Sequence, residues 1–332
     1  VTAGDLRSFG PFVEPSGTAS LSSNGLWRAA HRIGFGVVIP FIVLMGGYTV
    51  VRMIGDVVLW SAIIAGLSAA TVILAMRRSE YLVWAMYLQG LNVFAFLWER
   101  ADDAGMPLQL HYALAADRAI GLGVAPTVWL QEHMYTAGNV GVHDWVFTAV
   151  YTSFFVGPAL TLLVLWQCAR GLARQFVMAL LATLFLGLAV IALVPTAPPW
   201  MASEQGLIPP VHRVVQDAFA VINDSAYDEG KDVVGENEVA AMPSIHMAVA
   251  VVIAATIGRG SQRRRRWWPA LYPAAMGFAL VYLGEHYVVD IIAGVATAVV
   301  GWRVAHLILA RGRRAAIAEL APQQAVAARE AA

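Results

Sequence analysis

Charge is scarce in this 332-residue chain: Asp, Glu, Lys and Arg make up 13% of it, against 59% hydrophobic residues. A soluble domain carries about 25% charged and roughly 45–50% apolar residues, so a soluble globular protein is excluded. Cysteine is scarcer still. The one cysteine, Cys168, lies inside an apolar block, which excludes an intramolecular disulfide. Lysine is nearly absent, Lys231 being the one lysine among 22 basic residues. The Ala, Val and Arg that abound instead reflect GC-rich coding and carry no functional information. No cluster of His, Cys, Asp and Glu at metal-ligand spacing stands out. Residues 1–26 lack a signal-peptide pattern; rich in Ser, Gly and Pro, they read as a mobile tail.

What is present is a series of apolar blocks of roughly 20 residues, the length that crosses about 30 Å of hydrocarbon. Eight can be read, at 33–51, 57–76, 81–98, 142–168, 175–194, 243–257, 268–284 and 286–310. The third is interrupted by Gln89 and Asn92, and the sixth is short. In lipid each must be a helix, because an open strand leaves backbone groups unpaired. The expected fold is therefore all-α: a polytopic membrane helix bundle of about eight transmembrane helices. It forms one catalytic domain at 27–314, followed by a tail at 315–332.

With the N-terminus inside and the spans alternating, Arg77, Arg78, Arg170, Arg174, Arg259, the Arg263–Arg266 run and Arg311, Arg313 and Arg314 fall on the inner side. The outer side receives Arg52, Arg100, Arg118, Arg213 and Lys231. This is the positive-inside pattern. Omitting the third span would put Arg77 and Arg78 outside, so eight spans with both termini cytoplasmic is the consistent reading. The expected location is a cell membrane, crossed many times. Two outer segments, 99–141 and 195–242, are too long to be simple turns and are expected to be functional. Both contain amphipathic stretches, such as "HRVVQDAFAVI", suited to an interface. "RGSQRRRRWW" reads as a topology anchor that attracts anionic lipid, and nucleic acid is not expected as a partner.

"MPSIHMA" opens the sixth span from outside and "GEHYVVDIIAG" opens the eighth, so His246 and His286 arrive at one depth on one side. His286 and Asp290 are spaced to share a helix face. A carboxylate beside an imidazole selects its tautomer and stabilises the imidazolium formed when the other nitrogen reacts. An acidic residue one turn into an apolar helix is costly and marks a functional site. His286 is thus a candidate nucleophile and His246 a candidate proton donor for two-step phosphoryl transfer. The helix N-termini here are expected to offer unpaired N–H groups to a phosphate.

These motifs, with "PTAPPW" at 195–200 and "DRAIGLGVAPTVWLQ" at 117–131, resemble the type 2 phosphatidic acid phosphatase superfamily. Within it the resemblance is to the inositol phosphorylceramide synthase-like branch, which includes relatives of sphingomyelin synthase. It covers about residues 100–311 and implies a six-helix phosphatase-like core, His286 as nucleophile, Asp290 as its orienting acid and His246 as second histidine. It also implies no metal or other cofactor and an active site facing the exterior. The chain departs from the phosphatase members of the family. No Lys-x6-Arg-Pro is present, and Ala279 and Leu280 stand where those members have Ser-Arg. A phosphomonoester dianion needs several positive donors, so the departure favours phosphodiester transfer.

The expected activity is a membrane lipid phosphotransferase that moves a phosphorylated headgroup from a glycerophospholipid to a lipid or glycolipid hydroxyl. The branch resemblance makes phosphoinositol the expected headgroup. The same triad with water as acceptor would be a lipid or polyprenyl phosphate phosphatase. A membrane carrier is the alternative of another class; the spans hold few mid-depth polar groups besides Gln89, Asn92 and Arg303, which argues against it. Candidates for binding substrate are Arg118 first and Arg213 second, then Ser244, Trp200, Asp117, His212 and Tyr287. Arg100 and Lys231 read more simply as solvated loop charges. Oligomeric state is not readable from the sequence.

Overall fold

The computed structural model describes residues 57–77, 81–101, 104–223, 227, 237–260 and 267–330. The expected tail at 1–26, the expected span at 33–51, Lys231 and the Arg263–Arg266 run lie outside the described residues. The chain divides into two compact units, Val1–Trp60 and Ser61–Ala332, and the residues of the site all belong to the second.

Among the described residues the fold is all-α. The helices are α1 Val57–Met76, α2 Leu82–Trp98, α3 His111–Ile120, α4 Pro126–Met134, α5 Val142–Cys168 and α6 Arg170–Leu193. They continue with α7 Pro199–Glu204, α8 Val214–Ile222, α9 Ile245–Gly260, α10 Leu271–Tyr282 and α11 Val288–Glu330. Three stretches are long and apolar enough to cross a membrane: Val142–Cys168, Arg170–Leu193 and Val288–Gly312. Ala65–Leu74, Leu82–Trp98 and Ile245–Arg259 are shorter apolar helices. The chain is a membrane protein.

Helix α6 is central and packs against α2, α5, α9 and α11. Its sequence buries Phe176, Val177, Leu180, Leu184, Leu188 and Ile191, the three-and-four spacing of a helix with a wide apolar face. Small residues let its neighbours close in, as membrane helix interfaces require. A Cβ on Gly301 of α11 would overlap Thr183, and one on Gly187 would overlap Ile245. Outward, α5 exposes Phe155, Val156, Leu160 and Val164, and α11 exposes Ile292, Val299, Val304, Leu307 and Ile308. An outward apolar face of this kind suits lipid and would be an aggregation liability in water.

Helix ends differ from the expected spans for local reasons. The seventh span, expected at 268–284, begins with a 3-10 turn at Trp268–Ala270, and α10 proper stops at Tyr282. Gly284 ends it with φ +84°, a conformation that favours glycine, and a Cβ there would lie 2.6 Å from the His212 carbonyl. The N–H groups of Glu285 and His286 both donate to Leu280 O, at 3.1 and 3.2 Å, so the eighth helix begins at Val288 rather than His286. It continues well past residue 310 through a run of strong helix formers such as "RRAAIAEL".

The two long segments between spans are stitched together at Thr196 of "PTAPPW", which bridges Gln109 on one side and Ala240 on the other. Gln109 N donates to Pro195 O at 2.8 Å, Thr196 N to Val239 O at 2.7 Å and Ala241 N to Thr196 O at 3.1 Å. The Tyr112 hydroxyl lies 2.6 Å from Thr196 Oγ1 and donates to Met242 Sδ at 3.0 Å. The backbone just ahead of Pro243-Ser244-Ile245-His246 is therefore anchored to both segments.

Candidate active site

Two carboxylates close the amino end of α11. Asp290 reaches back from the first turn, and its Oδ2 accepts the Tyr287 N–H at 2.8 Å, the carboxylate half of a capping box. Asp117 comes from α3, and its Oδ1 accepts the N–H groups of Val288 at 2.7 Å and Val289 at 3.4 Å. Asp117 is 0% exposed, and this burial pushes its carboxyl up to about 6 even though both N–H groups pull it down. The expectation that this helix end offers its N–H groups to a phosphate is thereby corrected: they are taken by side chains. A phosphate here must be held by other groups.

His286 sits just before the helix, 5% exposed, with Nδ1 3.5 Å from Oδ2 of the fully buried Asp290. The pairing comes from the turn at 283–287 and not from a shared helical face. At 3.5 Å it is longer than a hydrogen bond; such contacts in unliganded sites tighten on substrate binding. Nδ1 is thus directed at the carboxylate, which leaves Nε2 as the nitrogen for chemistry.

His246 lies in the first turn of α9, and its ring centroid is 6.0 Å from that of His286. It stacks on Tyr151 at 4.7 Å and packs against Phe154 at 4.2 Å, both from α5. Two features hold α9 against α11, and a third caps the start of α9. The Ser244 N–H donates to the Asp290 carbonyl at 3.2 Å, and the Ser244 hydroxyl accepts the Met247 N–H at 3.3 Å. Gly294 lets the helices touch: a Cβ there would lie 2.5 Å from Ser244 O and 3.1 Å from Met247 Cβ. Ser244, expected to bind substrate, is buried and serves this junction.

Beside His286, Glu285 forms a two-pronged ion pair with Arg213, Nε to Oε1 at 2.9 Å and Nη2 to Oε2 at 3.3 Å. The guanidinium lies 4.4 Å over the ring of Trp200 and 5.1 Å over that of Tyr227. Burial works against the Arg213 charge, but Glu285 outweighs it, so the guanidinium is held protonated more firmly than usual. Gln131 fixes this flank. Its Nε2 donates to the carbonyls of His212 at 2.9 Å and Tyr282 at 2.8 Å, while its Oε1 accepts the His212 N–H at 2.8 Å. The Trp200 backbone N–H donates to Gly284 O and the Val214 backbone N–H to Leu283 O, both at 3.3 Å, so Arg213 is tied to the turn that carries His286.

The structure thus brings His286, Asp290, His246, Asp117, Ser244, Tyr287, Trp200 and Arg213 into one neighbourhood. Arg118 lies at its edge: exposed, it donates to Leu207 O at 2.9 Å and is within electrostatic range of Tyr287. His212 contributes its backbone, while its exposed ring faces Asp217 at 3.8 Å and Tyr135 at 5.2 Å. Arg100 is turned onto its own helix, over the Phe96 ring at 3.9 Å and donating to Phe96 O. Glu285, Gln131 and Tyr151 were missed from the sequence. Glu285 carried a signal, being the chain neighbour of the candidate nucleophile, and Gln131 closes the "DRAIGLGVAPTVWLQ" segment that carried part of the resemblance; Tyr151 carried none. Among the described residues no group of three or more His, Cys, Asp or Glu is placed to hold a metal ion.

A sequence profile of the PAP2 superfamily matches residues 112–304, a stretch that contains every residue of this site. The chain belongs to that superfamily, as its motifs anticipated. More particularly, it is 28% identical over 182 residues to the phosphoinositol dihydroceramide synthase of Bacteroides thetaiotaomicron, an alignment covering 48% of this chain and 56% of the relative. The chain therefore spans about half the length of that relative. No solved structure matches it.

Proposed function

We propose that this protein is a membrane lipid phosphotransferase that moves a phosphorylated headgroup, phosphoinositol being the first to test, from a glycerophospholipid to a lipid or glycolipid hydroxyl. The observation that carries the proposal is the approach of His246 to His286, with Asp290 behind His286. In the first half-reaction His286 Nε2 attacks phosphorus, and the bond from phosphorus to the diacylglycerol oxygen breaks. His246 gives that oxygen its proton. The enzyme then holds a phosphohistidine ester of the headgroup, with Asp290 stabilising the charge on the imidazole. In the second, His246 takes the proton of the acceptor hydroxyl, whose oxygen attacks phosphorus and expels His286. Atoms balance without a metal or cofactor.

The similarity to a phosphoinositol dihydroceramide synthase favours transfer over hydrolysis and suggests the headgroup. We further propose eight spans, both termini in the cytoplasm and the histidines at the extracytoplasmic surface of a cell membrane. The arginine distribution supports that orientation; to the three spans recognised by length the proposal adds α1, α2, α9 and α10, and the expected span at 33–51, which lies outside the described residues.

The test is mass spectrometry of products after purified protein meets phosphatidylinositol, phosphatidic acid or polyprenyl phosphate, each with and without a lipid extract as acceptor. The proposal expects diacylglycerol and a new phosphodiester lipid from phosphatidylinositol, both absent with His286→Ala. Inorganic phosphate released from either monoester, with no transfer product, would make the protein a phosphatase. Vesicle uptake that survives His286→Ala would make it a carrier.

A further inference from the structure

We propose that Glu285 sets the charge of the substrate: by neutralising Arg213 beside the nucleophile, it suits the site to a singly charged phosphodiester and against a phosphomonoester dianion. The proposal rests on the phosphoryl-transfer reading of the two histidines and adds a selectivity residue to it.

The pair is well placed for this. Glu285 is the chain neighbour of His286, and its carboxylate engages Arg213 through both oxygens. The two side chains are 11% and 9% exposed, so the pair is shielded from water without being sealed. Tyr151, which stacks on His246, lies within electrostatic range of both Arg213 and Glu285. The pair thus adjoins His286 in the chain and lies within electrostatic range of the ring that stacks on His246.

A two-pronged guanidinium is the best protein match to two phosphate oxygens, and the same fork matches a carboxylate. Here the carboxylate already occupies it, so a phosphate approaching Arg213 competes with Glu285 or shares the cation with it. Among the described residues, the charged side chains around His286 and Tyr287 are Arg213 and Arg118 against Glu285, Asp290 and Asp117. Three carboxylates face two guanidinium groups before any substrate arrives. A second negative charge on the phosphate would add to that imbalance in a partly dry site, where charge repulsion is weakly screened. A diester brings one charge and needs one cation. Selectivity of this kind comes as much from repelling the wrong ligand as from attracting the right one.

Removing the Glu285 charge while keeping its shape leaves Arg213 shielded and without its main counter-ion, a situation a dianion relieves. The test uses full-length protein in detergent at pH 8, with inorganic phosphate as the dianionic probe and phosphatidylinositol as the diester. Two readouts are taken: inhibition of diacylglycerol release by phosphate, and the rise in unfolding temperature that phosphate produces. Glu285→Gln is expected to strengthen phosphate binding at least tenfold relative to whatever change it makes in the KM for phosphatidylinositol. Glu285→Asp keeps the charge and should keep the wild-type preference. The double variant Glu285→Gln/Arg213→Gln restores the original net charge and should lose the gain.

Phosphate binding in Glu285→Gln within twofold of wild type would overturn the proposal. So would an equal gain in Glu285→Asp, or a gain that persists in the double variant, since either would trace the effect to shape and not charge. The thermal readout needs no turnover, so it separates this inference from the transferase reading. If wild type makes no phosphodiester product and Glu285→Gln still binds phosphate more tightly, the transferase fails and the charge role stands. Transfer with unchanged phosphate binding gives the reverse.

Discussion

At the scale of single residues, the orienting role proposed for Asp290 can be separated from its structural one. Its Oδ2 both accepts the Tyr287 N–H and faces His286 Nδ1. Asparagine keeps an oxygen able to accept the backbone N–H but carries no charge to stabilise an imidazolium. Asp290→Asn should therefore fold with an unfolding temperature close to wild type, yet lose roughly 10²–10⁴ in kcat, as carboxylates behind catalytic histidines do. Steady-state kinetics alongside thermal unfolding check this; a parallel loss of stability would mean the cap is its main contribution. The histidines and Asp290 were legible in the sequence because an ionisable group in an apolar run is costly and stands out. Glu285 was visible beside His286, but its role was not, because that role depends on Arg213, 72 positions away along the chain.

At the scale of elements, the amino end of α11 depends on Asp117 and on Gly294. Asp117→Ala would take the acceptor from the part-buried Val288 and Val289 N–H groups, a loss of up to about 1–3 kcal/mol for the shorter bond when nothing replaces it. Asp117→Asn keeps an acceptor and isolates the charge. The Asp117 carboxyl is raised from 3.8 to about 6 in the folded protein, so the fold binds this proton more tightly than the unfolded chain does. Its contribution to stability is complete below about pH 4 and is lost as pH rises through 6. Unfolding temperatures measured from pH 4 to 7 should therefore shift in favour of Asp117→Asn as pH rises, and the opposite slope would contradict the burial account. Gly294→Val would drive a side chain into Ser244 and Met247, prise α9 from α11 and move His246 away from His286. Overpacking of this kind costs typically about 1–3 kcal/mol, and kcat should fall at least tenfold with KM little changed. The sequence showed both helices and the proline before one of them. It did not show that "PTAPPW" is a backbone tether or that Gln131 clamps two loops, because those roles are pairings between segments with no periodicity of their own.

For the whole molecule, the apolar blocks located the helices well: α1 and α5 fall where expected, and α2 starts one residue late. Ends were less legible where a loop decides them, as Gly284 and its contact with the His212 carbonyl decide the end of α10. Orientation in the membrane is open to direct test through Cys168, the one cysteine of the chain, exposed at the end of α5. On the proposed topology it faces the cytoplasm, so a membrane-impermeant maleimide should label it in inverted vesicles and not in intact cells. A cysteine introduced at exposed Arg118 in a Cys168→Ser background should label the other way round, and labelling of both from one side would break the eight-span arrangement.

The covalent bond proposed between His286 and phosphorus can be trapped. Protein incubated with phosphatidylinositol carrying radiolabelled phosphorus, without acceptor, would be quenched in alkali, digested and mapped by mass spectrometry. An acid-labile, alkali-stable label is expected on the peptide holding His286, formed together with diacylglycerol and absent from His286→Ala. A label on any other residue, or diacylglycerol release that continues in His286→Ala, would contradict it.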